Sequence, residues 1–241
     1  MKPILNIQDV SKSFGKEQIL SHIDLTLEQN TVLSLVGSSG SGKTTLLKII
    51  AGLETQDSGT IYLHGEEVSN MKPQHRNSIY LYQEALLFPH LNVFENIAFG
   101  LRLRKTPEAL LKQKVTEMVS FLGMETHATK MSHQLSGGQR QRVSFGRAMI
   151  IEPSLLLLDE PFGALDSVTR EKMQVLFKDL AKQMQISAVF VTHDLKEAIV
   201  MGDSIGKITK GELTQFSDLK SFYNDKDSGI KKEVEFWKQF N

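Results

Sequence analysis

The stretch of sequence that decides the fold is rich in glycine and serine, and it reads Gly37-Ser38-Ser39-Gly40-Ser41-Gly42-Lys43-Thr44. A short apolar run at residues 32–36 precedes it, and an amphipathic run at residues 45–51, which Gly52 ends, follows it. A strand, this glycine spacing and a helix together form the P-loop pattern. We therefore predict that backbone N–H groups and the positive end of the helix bind phosphate oxygens here.

The side chains at the end of this loop predict a nucleotide with its metal ion. Lys43 is expected to reach the β- and γ-phosphates, and Thr44 to ligate Mg²⁺. Thr45 follows them and is included in the predicted phosphate site. The alternative is a flexible glycine–serine loop, but the strand before it and the helix after it favour the P-loop.

Hydrophobic patterns outside the loop predict two kinds of strand. Residues 4–10 and 22–27 alternate apolar with polar side chains around a turn at Gly15, which is typical of half-solvated antiparallel strands. Residues 155–158 and 186–191, like residues 32–36, are short apolar runs that lead into glycine, acidic residues or histidine and then a helical pattern. Such runs indicate parallel strands that are covered on both faces.

Helices and turns complete the pattern. Thr106 and Pro107 open a helix that extends to Gly123, with an apolar face at Leu110, Leu111, Val115, Met118, Val119 and Leu122. A second apolar face is formed by Met173, Leu176, Leu180 and Met184. Lys210-Gly211 predicts a hairpin turn, and the polar tail from Lys220 predicts a final helix with a solvated end.

Two carboxylates end the apolar run at residues 155–158. Successive side chains of a strand point in opposite directions, so Asp159 and Glu160 can serve different roles. We predict that Asp159 joins the Mg²⁺ shell and that Glu160 polarises or deprotonates the attacking water. Acidic residues also commonly open a helix, but the preceding P-loop favours catalysis.

A second glycine motif opens the helical segment at residues 140–150, and it reads Leu135-Ser136-Gly137-Gly138-Gln139. Ser136 and Gln139 have the spacing of a capping box, which predicts a helix N-terminus with N–H groups that can bind an anion. A simple glycine-containing helix start is the alternative.

The P-loop, Leu-Ser-Gly-Gly-Gln and Leu-Leu-Leu-Leu-Asp-Glu-Pro, in this order, resemble the ATP-binding subunits of ABC transporters over nearly the whole chain. The resemblance implies that Gln83 is the Q-loop glutamine, which contacts Mg²⁺ or the attacking water. It also implies that Asp166 belongs to the D-loop and that His193 is the switch histidine near the γ-phosphate. Phe14 stands where the family has an aromatic side chain stacked on adenine, although core packing is the alternative for this residue.

The fold implied is an α/β P-loop NTPase core with a mostly parallel sheet, an N-terminal antiparallel β-subdomain and a helical subdomain that carries the second glycine motif. We expect one ABC ATPase domain over residues 1–241. Its ATP-binding core would occupy about residues 1–83 and 153–220, its helical subdomain residues 84–152, and its tail residues 221–241.

A narrower resemblance, at residues 83–101, is to the ATPases of bacterial importers for maltose, polyamines, sulfate and ferric iron. Residues 162–170 are also similar to those of nitrate, sulfonate and betaine systems. Import is therefore expected. The sequence ends at Asn241, where maltose, polyamine and sulfate importers usually continue into a regulatory β-domain, so regulation through such a domain is not expected.

The resemblance also implies partners. Two copies would sit head to tail, with each ATP between the P-loop of one copy and residues 135–139 of the other. Residues 86–99 are unusually apolar, which predicts either a groove for a short permease helix or burial within the protein. We expect an integral membrane permease, an external solute-binding protein, and a peripheral location at the cytoplasmic face of the inner membrane.

Composition sets further limits. The 28 Lys and Arg residues balance the 28 Asp and Glu residues, so no global field favours nucleic acid. The sequence contains no cysteine, which suits a reducing compartment, and no apolar run long enough to span a membrane. A non-transport ABC ATPase and an exporter subunit are the alternatives within the family, and a P-loop kinase or GTPase would have no use for the second glycine motif.

Overall fold

The computed structural model describes residues 3–216 and 218–224, which form two compact units. The first unit contains the residues up to Ser78 and those from Ser187 onward, and the second is Ile79–Ile186. In chain order the elements are β1 (Leu5–Phe14), β2 (Glu17–Leu27), β3 (Val32–Val36), α1 (Lys43–Ala51), β4 (Ser58–Leu63), β5 (Glu66–Glu67), β6 (Ser78–Leu81), α2 (Val93–Leu103), α3 (Glu108–Phe121), α4 (Gly137–Met149), β7 (Leu155–Asp159), α5 (Ser167–Gln183), β8 (Ser187–Val191), α6 (Leu195–Met201), β9 (Ser204–Thr209), β10 (Glu212–Phe216) and α7 (Leu219–Asn224).

An antiparallel sheet with the strand order β2-β1-β4-β5 lies in the first unit. The turn at Gly15, whose φ is 62°, lets β2 fold back on β1, so that Phe14 pairs with Glu17 and Leu5 with Leu27. The alternating apolar side chains of β1, such as Leu5 and Ile7, are buried. The predicted antiparallel, half-solvated strands are therefore confirmed.

The first unit also contains parallel pairing around β3. This strand pairs in parallel with β8, where Val32 is opposite Ala188, and with β9, where Leu33 is opposite Ser204. All five residues of β3 and all five of β8 are buried, as expected for strands covered on both faces. Lys210 and Gly211 adopt positive φ values of 51° and 81° in the predicted hairpin between β9 and β10.

The second unit contains most of β6, the neighbouring strand β7, and helices α2 to α5. The predicted helix after Pro107 is α3, which buries Leu111 and Val115. Leu110, expected on the same face, is instead 43% exposed. Each residue turns an α-helix by about 100°, so once Leu111 faces the interior its neighbour Leu110 is turned away.

The fold class is confirmed as an α/β protein with an antiparallel sheet, a mostly parallel sheet and helices. The two compact units have boundaries at Ser78 and Ser187, whereas the finer division into core, helical subdomain and tail stays a prediction. The end of α7, whose Phe222 packs near Phe216, overlaps the start of the predicted tail, and residues 225–241 lie outside the described part of the chain. Within residues 3–216 and 218–224, none of the helices has both the length and the apolar character of a membrane span.

Candidate functional site

The predicted phosphate loop connects β3 to α1 in the first unit. A Cβ atom at position 37 would lie 2.5 Å from the backbone oxygen of Ile208, so only glycine fits there. Gly42 has a φ of 103° and ends the loop as the N-cap of α1. These positions explain why glycine is needed at both ends of the loop.

The buried side chain of Lys43 is hydrogen-bonded to the backbone at the start of the loop. Its side chain is 5% exposed, and its Nζ donates hydrogen bonds to the backbone oxygens of Gly37 at 2.9 Å and Ser38 at 2.8 Å. The first turn of α1 contains no acidic residue, and Gly42 offers no side chain that could cap it. The N-terminal end of α1 therefore keeps its positive character toward an anion.

The other polar residues of the loop fit a bound phosphate. Ser41 is 8% exposed, and its Oγ has no hydrogen-bond partner within the described residues. A buried hydroxyl without a hydrogen bond lowers the stability of the fold, so a phosphate oxygen is a suitable partner for the Ser41 hydroxyl. The predicted residues that face solvent at this loop are Ser38, Ser39, Gly40 and Thr44, and Thr45 is half-buried.

The opposite end of α1 is held by Arg76, a residue that the sequence patterns did not single out. Arg76 is 4% exposed and donates hydrogen bonds to four backbone oxygens, those of Ile49, Ile50, Ser69 and Met71. Burial lowers the pKa of its guanidinium. Because two of these oxygens belong to the last turn of α1, Arg76 fixes the helix whose first turn forms the phosphate loop.

Phe14 ends β1 in the same unit. Its side chain is 48% exposed, so the alternative of simple core packing does not describe it. The Nζ of Lys12 lies 4.9 Å from the centre of the Phe14 ring and also forms an ion pair with Glu54 at 2.9 Å. The hydrogen bond with Lys12 lowers the pKa of Glu54.

His193 follows β8 in the first unit and is exposed. The residues immediately before and after His193 both form hydrogen bonds with α6. The Thr192 hydroxyl donates to the carboxylate of Glu197, and Asp194 caps α6 by accepting from the backbone N–H of Lys196 at 2.8 Å. The histidine is therefore presented to solvent from an ordered turn.

Asp159 and Glu160 lie at the end of β7 in the second unit, where both are half-buried. Asp159 Oδ2 accepts a hydrogen bond of 2.7 Å from the hydroxyl of Tyr80 on β6, and burial is the main cause that raises the Tyr80 pKa. Glu160 has a φ of 45°, which is uncommon for a residue with a side chain. The chain therefore turns sharply between the two carboxylates.

Gln83 and Asp166 also lie in the second unit, and both are exposed. A Cβ atom added at Gly163 would lie 3.0 Å from Gln83 Nε2, which places the glutamine beside the loop that follows Glu160. Asp166 is the N-cap of α5 and accepts from the backbone N–H of Thr169 at 3.0 Å, which lowers the pKa of its carboxyl.

The second glycine motif forms the N-terminus of α4, as predicted. Ser136 and Gln139 make the reciprocal hydrogen bonds of a capping box, at 3.3 Å and 2.9 Å. Leu135 is buried and Gly137 is exposed. A Cβ atom at Gly138 would lie 2.4 Å from Thr169 Cγ2, so the backbone is too close to α5 for a side chain there.

The apolar segment at residues 86–99 mixes exposed and buried side chains. Leu86 is 52% exposed and Val93 is 1% exposed. Arg147 of α4 supports the exposed part, because its Nη2 donates to the backbone oxygen of Leu86 at 2.7 Å and its Cζ lies 4.8 Å from the centre of the Phe88 ring. Burial within the protein therefore describes Val93, whereas the groove for a permease helix stays a prediction for the exposed residues of this segment.

The predicted site residues divide between the two units. The first unit contains Phe14, the phosphate loop with Lys43, and His193, and the second contains Gln83, the two carboxylates, the second glycine motif and Asp166. Their predicted metal ligands, the Thr44 hydroxyl, the Gln83 amide oxygen and the Asp159 carboxylate, offer only oxygen donors. Such donors suit Mg²⁺, which protein sites hold through few ligands together with substrate phosphates.

Comparison with known proteins identifies the family. The ABC transporter family matches residues 20–163, a range that contains the phosphate loop, the second glycine motif and both carboxylates. The spermidine/putrescine import ATP-binding protein of Clostridioides difficile is 41% identical over 232 residues, which are 96% of this chain and 67% of that protein. The proteins of that name from Fusobacterium nucleatum and Haemophilus influenzae are 45% and 41% identical, over 92% and 93% of this chain and 59% and 60% of theirs.

The chain thus spans 59–67% of the length of these relatives. The relatives carry the name of an importer ATP-binding protein, in agreement with the narrower resemblance at residues 83–101. On the family match and these identities, the chain belongs to the ABC transporter family.

Proposed function

We propose that the chain binds and hydrolyses ATP to drive solute import through a separate membrane permease. The observation that carries the proposal is the phosphate loop. Its glycine backbone, the uncapped start of α1, the unpartnered Ser41 hydroxyl and the Lys43 ammonium all converge on one place that suits a triphosphate. Family membership supports the same function.

Nucleotide binding is assigned mainly to the first unit. In this proposal Lys43 balances the charge of the β- and γ-phosphates, and the backbone N–H groups of residues 37–45 donate to their oxygens. Phe14 provides a half-exposed ring on which adenine stacks. Lys12, held by Glu54, keeps this ring in place.

Hydrolysis requires charge stabilisation and a positioned water molecule. We assign Thr44, Asp159 and Gln83 to hold Mg²⁺, which when bound neutralises charge on the phosphates. Glu160 accepts a proton from the attacking water, or polarises it. His193 contacts the γ-phosphate from its ordered turn after β8.

A second copy of the chain completes each site in this proposal. The first turn of α4 has no acidic residue, and its capping box leaves backbone N–H groups of residues 137 and 138 directed at the helix end. We propose that this end binds the γ-phosphate of ATP held by the partner copy, with Asp166 near the contact. A site completed only on closure couples ATP binding to a motion.

The permease is proposed to dock on the exposed apolar part of the segment that follows Gln83. Leu86 is 52% exposed, and Arg147 of α4 donates a hydrogen bond to its backbone oxygen at 2.7 Å. An external binding protein would deliver the solute. In this proposal the chain is peripheral to the cytoplasmic face of the membrane.

The relatives' names make polyamines the first cargo to test. The cargo is chosen by the permease and its binding protein in such importers, so the chain itself does not identify it. Co-purification of the intact chain with membrane proteins tests this part of the proposal. Recovery of an exporter, or of no membrane protein, would favour the alternatives of an exporter subunit or a non-transport ABC ATPase.

ATP hydrolysis by purified protein tests the central claim. Lys43→Ala should remove hydrolysis, because a methyl group cannot balance phosphate charge. Lys48→Ala is a matched control, since it removes a positive charge from the same helix outside the phosphate loop. Hydrolysis of Mg-ATP by Lys43→Ala at the parent rate would show that the loop is not the nucleotide site.

A further inference from the structure

Tyr80 contacts the carboxylate that we assign to Mg²⁺. It lies on β6, next to β7, and its hydroxyl donates to Asp159 Oδ2 at 2.7 Å across a sequence separation of 79 residues. Both residues belong to the second unit, so the contact is internal to that unit. No motif in the sequence marks Tyr80 as a site residue.

The ring of Tyr80 packs against a neighbouring aromatic ring. Its ring is half-buried and lies 4.6 Å, centre to centre, from the ring of Tyr82 at a tilt of 58°. Tyr82 precedes Gln83, the second residue assigned to the metal from this unit. The hydroxyl therefore reaches Asp159 from a half-buried ring that contacts a second aromatic ring.

We propose that Tyr80 is a positioning residue for Mg²⁺, whose hydroxyl holds the Asp159 carboxylate in the orientation that the metal requires. A carboxylate at a strand end can rotate, and a metal ligand that is already oriented binds with a smaller ordering cost. The inference rests on the proposed function, because it assumes that Asp159 binds the metal of Mg-ATP.

Tyr80→Phe tests the inference in the full chain, since it removes only the hydroxyl and keeps the ring. We expect the Mg²⁺ concentration that half-saturates ATP hydrolysis to rise by roughly 10-fold, the lower end of the range for groups that orient metal ligands. Binding of Mn²⁺ to the ATP complex, followed by electron paramagnetic resonance, should weaken by a similar factor. Binding of a fluorescent ATP analogue in excess EDTA should be unchanged.

Two further variants distinguish a Tyr80 hydroxyl that orients Asp159 from one that only stabilises the fold. Tyr82→Phe is the matched control, because it removes the same hydroxyl from the neighbouring ring and should leave the Mg²⁺ requirement unchanged. Tyr80→Met, a second variant without a donor, should raise the requirement as Tyr80→Phe does. The inference is overturned if both Tyr80 variants keep the parent requirement, or if neither binds the ATP analogue in EDTA, since the hydroxyl would then serve the fold.

Failure of the proposed function would be visible in the parent protein. A parent that binds no ATP removes the proposed function and the inference together, whereas a parent that hydrolyses ATP without Mg²⁺ removes the metal role and therefore the inference. A parent with normal Mg²⁺ dependence, beside a Tyr80→Phe variant that behaves like it, removes only the role of Tyr80.

Discussion

Replacing Phe14 by alanine tests whether its ring stacks on adenine or only packs against the rest of the protein. Truncating a fully buried phenylalanine costs about 3–5 kcal/mol of unfolding free energy. The Phe14 side chain is 48% exposed, so we expect a smaller cost, to which the loss of the contact with Lys12 adds roughly 0.5–1 kcal/mol. The variant should therefore fold.

The effect on ATP binding is measured in the folded variant, separately from the effect on stability. Stacking of a base on an aromatic side chain contributes about 1–3 kcal/mol, as measured by alanine substitution. At 1.4 kcal/mol for each factor of ten, Phe14→Ala should weaken ATP binding by roughly 5- to 150-fold. Inorganic triphosphate has no base, so its affinity should not change.

Equilibrium titration with both ligands measures this difference. Phe14→Trp keeps an aromatic face and should retain ATP affinity. Leu103→Ala is the control for an exposed apolar residue, since Leu103 is 70% exposed and lies in the second unit. Unchanged ATP affinity in Phe14→Ala would refute the stacking role, and equal weakening of ATP and triphosphate would show that the substitution disturbs the phosphate loop instead.

The remaining predictions concern catalysis, assembly and stability. Glu160→Gln should bind ATP without hydrolysing it and form a dimer in size-exclusion chromatography with Mg-ATP; a monomer that turns over normally would remove Glu160 from catalysis. A mixed dimer of Lys43→Ala and Gly138→Asp chains should recover single-turnover ATP cleavage at its one intact site, although neither variant cleaves ATP by itself. Gly137→Asp repeats the test at a position where a Cβ atom has space, so it avoids the close contact with Thr169. Mixed dimers that do not cleave ATP would show that each chain builds its own site. Arg76→Met should lower the free energy of unfolding by about 3 kcal/mol in urea titration, because it removes a charged donor from buried carbonyl oxygens; a loss below about 1 kcal/mol would contradict this role.

Local sequence patterns predicted much of the fold. The glycine spacing and the apolar run before it located β3, the phosphate loop and α1, because each depends on nearby residues. The alternation near Gly15 predicted the β1–β2 pairing for the same reason. The error at Leu110 arose because helical spacing alone does not fix the rotation of α3 when two adjacent leucines can each face the interior.

The candidate site was predicted less completely. The motif residues are where the sequence placed them, at strand ends and helix starts, while their roles stay predictions. Phe14 could have been a core residue or an exposed platform by its sequence position, and only the folded chain shows its half-exposed ring. The apolar residues near Leu86 and Val93 likewise differ in exposure although their composition is similar.

The sequence by itself determined the P-loop, the second glycine motif, the strand and helix types, and the family, because these depend on the order and spacing of neighbouring residues. Only the tertiary structure decided that Tyr80 donates to Asp159 and that Arg76 binds the last turn of α1. The first contact joins residues 79 apart, and the second joins residues 27 apart. These hydrogen-bond partners are brought together by the packing of strands and helices that are distant in the sequence. Local residue patterns therefore do not predict them.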